Sequence, residues 1–262
     1  MTALTSASQT ARGLGALRSS GVFIGRSLRH SLRDGEGLVT AVALPVVLLL
    51  MFTYVFGGAI IADGYIDFVV PGVILTCAGF GASSVAVAVN RDATLGVMRR
   101  FRTMPIPATT VLVGHVVASV LRNLLATAIV ILVALAIGFR PTATPLEWLG
   151  VLGLVALWIL AITALFACIG LVSGSPEAAN GYGFILLFLP YLSSAFVPVD
   201  TMPSWLQPLA THQPMGPLVD SLRALLIGVG QAPMLATVTW SIGIILVATA
   251  LTALALRRSR DR

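Results

Sequence analysis

The run Trp148–Val172, WLGVLGLVALWILAITALFACIGLV, decides the class of this fold: 25 consecutive residues without a single charge. A helix that crosses the hydrocarbon layer of about 30 Å needs about 20 apolar residues, at about 1.5 Å of rise each. Five further stretches meet that requirement: Leu38–Ala59, Phe68–Val89, Ser119–Gly138, Gly181–Val197 and Leu235–Leu256. Helices satisfy their own backbone hydrogen bonds where water is absent. The expectation is an all-α integral membrane protein with six transmembrane helices occupying residues 38–256.

Composition agrees. Apolar residues make up 57% of the 262 and charged residues 10%, against roughly 25% charged in soluble domains. A soluble core could not hide that much apolar surface, and a disordered chain would not contain it. All 16 basic residues are arginine, so the phosphate-binding lysine of a P-loop is missing. Cys77 and Cys168 lie in separate apolar runs and read as small buried hydrophobes, not as a metal site or a disulfide. The first apolar run begins after 37 residues and is too long for the apolar core of a cleavable signal peptide.

The placement of the arginines orients the spans. Thirteen of the 16 fall in three segments: Arg12 to Arg33 before the first span, Arg91 to Arg102 between the second and third, and Arg257 to Arg262 in the tail 257–262. Arg140 and Arg223 belong to the opposite side, and Arg122 lies inside the third helix. The positive-inside rule then puts both termini in the cytoplasm of a multi-pass plasma-membrane protein, in a bacterium the inner membrane. The +6 net charge is explained by this bias, with no aromatic-interleaved patch for nucleic acid.

Three segments outside the spans carry further information. In the N-terminal region 1–37, Leu17, Ile24, Leu28 and Leu32 share one helical stripe while Arg26, Arg29 and Arg33 share another, the pattern of an amphipathic helix on the cytoplasmic membrane surface. Residues 90–107 form a short basic segment closed by Pro105 and Pro107. The third helix, read from Ala108 to Gly138, would be roughly 46 Å long and project into the cytoplasm. Arg122 then lies near the inner interface, where it either snorkels or faces a substrate path. Residues 198–234 are the long outer segment. Pro203 suits a first helical turn and Trp205 a membrane interface, and Asp220 and Arg223 share the polar side of an amphipathic run. Two short extracellular helices are expected there.

Chemistry is conspicuous by its absence. None of the ten carboxylates sits inside a span, which removes the usual device of ion-coupled transport. His30, His115 and His212 lie in separate segments with no nucleophile beside them. No catalytic residue and no metal site is expected. Small residues on the second span (Gly72, Cys77, Gly79, Ser83) and polar ones on the fifth (Tyr191, Ser193, Ser194, after Pro190) suit close helix packing or the lining of a path.

Taken together, these motifs resemble the membrane permease of type-2 ABC exporters, of the daunorubicin-resistance type, over about residues 20 to 258. Arg91, Asp92, Gly96, Arg99, Arg100, Phe101, Arg102, Pro105 and Pro107 look like the family's coupling segment, with aspartate where glutamate is common. Met202-Pro203-Ser204-Trp205-Leu206-Gln207-Pro208 and the stretch from His212-Gln213-Pro214 through Arg223 to Gly228 are similar to its extracellular helices. The resemblance implies a transport subunit that is not itself an enzyme. It implies a partner ATPase dimer that binds ATP and Mg, and a second permease, either another copy or a sister chain. Arg26, Arg29 and Arg33 would supply a second contact to the ATPase. The substrate path would run between two permeases, lined by Gly72, Cys77, Gly79, Ser83, Tyr191, Ser193 and Ser194, and its apolar walls suit an amphipathic drug or lipid leaving the cytoplasm. A stand-alone channel or secondary transporter is the alternative.

Overall fold

The computed structural model describes residues 35–60, 64–94 and 108–258. The described residues contain helices and turns and no strand. Helix α1 (Gly35–Leu50) contains Pro45. It continues through one π-helical stretch, Met51–Phe56, into the short α2 (Gly57–Ile60). Helix α3 (Tyr65–Thr94) is 30 residues long. Helices α4 (Ala108–Ala136) and α5 (Pro145–Val172) follow. Then come α6 (Pro176–Leu186), a 3₁₀ turn at Leu189–Leu192, and a second at Val199–Thr201. The chain ends with α7 (Gln207–His212), α8 (Met215–Ile227) and α9 (Met234–Arg258).

Among the described residues, five segments are long and apolar enough to cross a membrane: Ala41–Ile60, Tyr65–Thr94, Leu112–Ala136, Pro145–Val172 and Met234–Arg257. They correspond to the first, second, third, fourth and sixth expected spans. The fifth expectation needs correction. Gly181–Val197 is not one helix: the helix starts earlier, at Pro176, stops at Leu186, and gives way to the 3₁₀ turn and bends. The cause is local, because Pro190 has no amide to donate and its ring excludes a continuing α-turn.

Helix α3 is the hub, packing on α1, α4, α5, α6 and α8. Its fit depends on glycines that admit a neighbour's atoms. A Cβ on Gly72 would lie 2.6 Å from the Ala195 carbonyl oxygen, and one on Gly81 would overlap Asn123 of α4. Across the α3–α5 crossing, a Cβ on Gly170 would lie 2.2 Å from the Ala86 carbonyl oxygen. Such small-residue contacts let helices approach where lipid supplies no hydrophobic drive between them. Helix α5 starts on a capping box: the Thr144 hydroxyl accepts from the Glu147 amide while Glu147 accepts from the Thr144 amide at 2.6 Å. Two of the helix's free amides are thereby satisfied.

Candidate functional sites at the two ends of the bundle

The first polar site is built around the broken fifth stretch and α8. The break frees carbonyls that a membrane interior cannot solvate. Gln213, at the junction of α7 and α8, donates from Nε2 to the carbonyls of Leu192 (2.6 Å) and Leu189 (3.3 Å). Ser193 donates to the Pro190 carbonyl at 2.6 Å and accepts from the Ala195 amide. Arg223 then closes the arrangement. Its Nη2 donates to the carbonyls of Ser194 (2.9 Å) and Phe68 (3.2 Å), its Nη1 meets Asp220 at 3.1 Å, and its guanidinium carbon lies 4.1 Å above the Phe68 ring. Ser194 donates to the same Asp220 oxygen. Phe68 belongs to the first turns of α3, where Pro71 withholds a helical amide.

One arginine thus ties α8, the broken stretch and α3 together, and the fork of the guanidinium suits several acceptors at once. Arg223 pairs with Asp220, the residue with which it was expected to share a polar side. The arginine is only 8% exposed, because the pairing with Asp220, two carbonyls and a ring replaces water. Helix α8 as a whole buries Leu218, Val219, Leu222 and Leu226 against the bundle. Beside the break, aromatic rings close the gap: Phe196 stacks on Phe52 (4.5 Å) and Tyr191 (4.8 Å), and the Tyr65 hydroxyl donates to the Phe196 carbonyl at 2.8 Å. The sequence offered Gln213 only as part of the motif His212-Gln213-Pro214, with no bonding role, and gave no sign of Phe52 or Tyr65. Pro190 was the one signal, since a break in a span demands a donor nearby. Trp205 is exposed, and Pro203 opens the turn that leads into α7.

The second polar site lies where the C-terminal ends of α3 and α5 meet α4 and the start of α6. His115 Nε2 and Asp92 Oδ2 are 2.7 Å apart, and both side chains are partly exposed. Asn90 is buried and donates from Nδ2 to the carbonyls of Ser173 (2.7 Å) and Gly170 (3.0 Å). It therefore caps the last turn of α5, where carbonyls lack helical partners. Ser175 caps α6 by accepting from the Ala178 amide at 3.1 Å. The Glu177 carboxyl is held below the ordinary carboxylate range, first by its own backbone amide, then by the Ser175 hydroxyl and the charge of Arg91. Arg91, Asp92, His115 and Glu177 accordingly gather from three helices. Nothing in the sequence spacing announced the Asp92–His115 pair, since 23 residues separate the two.

Of the expected coupling residues, Arg91 and Asp92 stand at this end. Gly96, Arg99, Arg100, Phe101, Arg102, Pro105, Pro107, Arg26, Arg29 and Arg33 lie outside the described residues, as does the expected surface helix. Arg122 is half-buried and bonds to α3 through the Ser84 hydroxyl and the Gly81 carbonyl.

Between the two ends lies a cavity of about 150 Å³, walled by Leu75, Thr76, Gly79, Trp158, Phe166, Pro190 and neighbouring apolar side chains. Of the seven residues expected to line a path, Gly79 faces this cavity. Gly72 is closed off by Ala195, and Cys77 is buried with its thiol toward the Ala41 carbonyl at 3.8 Å. Ser193 and Ser194 are committed to the break, while Ser83 and Tyr191 are half-buried.

Comparison with known proteins adds a further observation. Residues 20–227 match the family described as ABC-2 type transporter. The chain is 31% identical over 216 residues to a daunorubicin resistance ABC transporter permease of Streptomyces coeruleorubidus, covering 81% of this chain and 74% of that one. Two proteins of Mycobacterium tuberculosis are also similar. One, a doxorubicin resistance ABC transporter permease, is 28% identical over 245 residues, covering 84% of this chain and 80% of its own. The other, a probable doxorubicin resistance permease, is 24% identical over 241 residues, covering 89% and 86%.

Proposed function

The chain belongs to the ABC-2 type transporter family, a multi-pass bacterial membrane permease of an ABC exporter, and on that premise we propose how it works and what it carries. It is driven by a separate ATPase dimer that binds ATP and Mg. It exports an amphipathic or hydrophobic substrate from the cytoplasm, a drug or lipid, in keeping with the drug-resistance names of its relatives. Both termini are cytoplasmic, and a second permease, another copy or a sister chain, completes the path.

One observation carries the coupling part of this reading. Arg91, Asp92, His115 and Glu177 converge from α3, α4 and α6 at the roots of the basic segment 95–107. A partner that docks on that segment pushes on α3 and α4 together, because the Asp92–His115 contact joins their ends. Rigid helices carry the displacement along their length. Helix α3 also contacts the broken stretch and α8 at the far end, so a shift at one end reaches the other through a single packed element. Charge complementarity supplies docking and register.

The test is co-purification with candidate ABC ATPases of the same bacterium, followed by ATP turnover in lipid nanodiscs. Reversing the charge at Arg99, Arg100 and Arg102 is expected to abolish assembly or uncouple turnover from transport. Intact assembly and turnover in that triple variant would overturn the coupling assignment. Substrate movement by the isolated chain, without ATP, would favour a stand-alone channel or secondary transporter.

A further inference from the structure

Two departures from regular α-helix meet in this bundle. One is the break after Leu186; the other is the π-helical stretch Met51–Phe56 inside the first span. Phe52 of that stretch stacks on Phe196 at 4.5 Å. A π turn closes i→i+5 hydrogen bonds, and it occurs mostly as a single-turn bulge, frequently at a functional site. Such a bulge holds one residue more than an uninterrupted α-helix on the same path.

The two sides of the bulge are attached differently. Beyond it, Gly57 is buried, and a Cβ there would lie 3.1 Å from Tyr65 Cδ1. Before it, α1 rests on α3 and α4 through the narrow buried stripe Ala41, Pro45 and Leu49. Of an 18-residue apolar window in each, 17% is buried in the first span and 67% in α3. One step on lie Val42, Val46 and Leu50, which are also apolar and partly buried. Resolving the bulge into α-helix turns the part before it by about 100° and shifts it by about 1.5 Å. The second stripe then takes the place of the first. The bulged form leaves Thr53 Oγ1 buried without a partner among the described residues. In an α-turn a threonine hydroxyl can donate to the carbonyl four residues back, as those of Thr76, Thr239 and Thr249 do.

We propose that Met51–Phe56 is a register joint, which gives the first span two packings. One is bulged, with Ala41, Pro45 and Leu49 inward; the other is α-helical throughout, with Val42, Val46 and Leu50 inward. The bulged form keeps the Phe52–Phe196 stack, and the α form recovers the Thr53 hydrogen bond to the Leu49 carbonyl. The change lifts Phe52 off Phe196, so a rotation of α1 reaches the break in the fifth stretch. Packed helices switch between discrete arrangements of this kind instead of deforming continuously.

Spin labels on Val39→Cys and Val172→Cys, both exposed positions, report the distance between the start of α1 and the end of α5. The measurement is pulsed electron–electron resonance on the full chain in nanodiscs; Cys77 and Cys168 are buried and escape the label. Two distance populations are expected. Deleting Tyr54 removes the extra residue and should leave the bulged form's distance alone. Thr53→Val withholds the hydrogen bond that favours the α form and should lower that population about fivefold, the worth of one net hydrogen bond. Thr53→Ser keeps the hydroxyl and should retain both populations. Helicity and elution volume check that each variant folds. A single distance in the parent overturns the proposal, as do two distances that survive the deletion or a Thr53→Val distribution equal to the parent's. The chain is measured alone, so the outcome is independent of the exporter reading.

Discussion

The two ends of the bundle hold their polar groups in opposite ways. At the α8 end, Arg223 is almost wholly buried and engages a carboxylate, two carbonyls and an aromatic face. At the end flanking residues 95–107, Asp92 and His115 make one contact, and each remains about a quarter exposed. Burial raises the cost of separating charges, while exposure to solvent and salt screens them. The first end is therefore a fixed clamp and the second a joint that separates at small cost. Under the proposed coupling, an element that a partner pushes is best attached through contacts of the second kind.

Substituting Arg223 should produce the largest effect. Arg223→Met removes every partner of the Ser194 and Phe68 carbonyls named above and leaves Asp220 without its cation. A destabilisation of about 2–3 kcal/mol is expected, mostly from the carbonyls left without the guanidinium, since Asp220 is 44% exposed and its charge is screened; it is read as a fall in thermal unfolding temperature in nanodiscs. Arg223→Lys should recover little of it, because an ammonium lacks the planar fork. A lysine variant as stable as the parent would show that charge alone holds this end.

Asn90 provides the intermediate case. It is as buried as Arg223 but neutral, and its two bonds to α5 carbonyls lie close to the exposed joint. Asn90→Leu is expected to cost about 1–3 kcal/mol, through two unpartnered carbonyls at the end of α5. Denaturant or thermal unfolding measures it. A cost equal to that at Arg223 would erase the contrast between the ends.

His115→Ala and Asp92→Asn should scarcely change stability, by less than about 1 kcal/mol each, as for exposed ion pairs. Their expected consequence is functional. Substrate transport per ATP hydrolysed should fall when the ends of α3 and α4 move independently, and a double variant should be no worse than either single one. Additive losses would mean that the two residues act separately.

Hydrophobic run length made five of the spans legible, since a lipid-crossing helix is dictated by its own composition. Arginine placement is likewise a local property of each loop, and the expectation of cytoplasmic termini rests on it alone. The fifth span was misread because its apolar run is long enough, while Pro190 breaks the helix and the repair comes from Gln213, over 20 residues away. Arg223 illustrates the same limit. Its spacing from Asp220 suggested a shared polar side, and the two do pair, but nothing local showed that Phe68, 155 residues earlier, would help to bury the arginine. Gly79 was visible as a small residue, but not as the wall of a cavity.

What the sequence determined by itself was therefore everything that depends on one segment against lipid or water: the class of fold, the long spans and the basic segment between the second and third. Only the tertiary structure decided which carbonyls Arg223 and Gln213 would satisfy, that Asp92 would meet His115, and that Gly79 would border an apolar cavity. Those outcomes depend on pairs of atoms far apart in the chain, and the geometry that joins them exists only once the helices are packed.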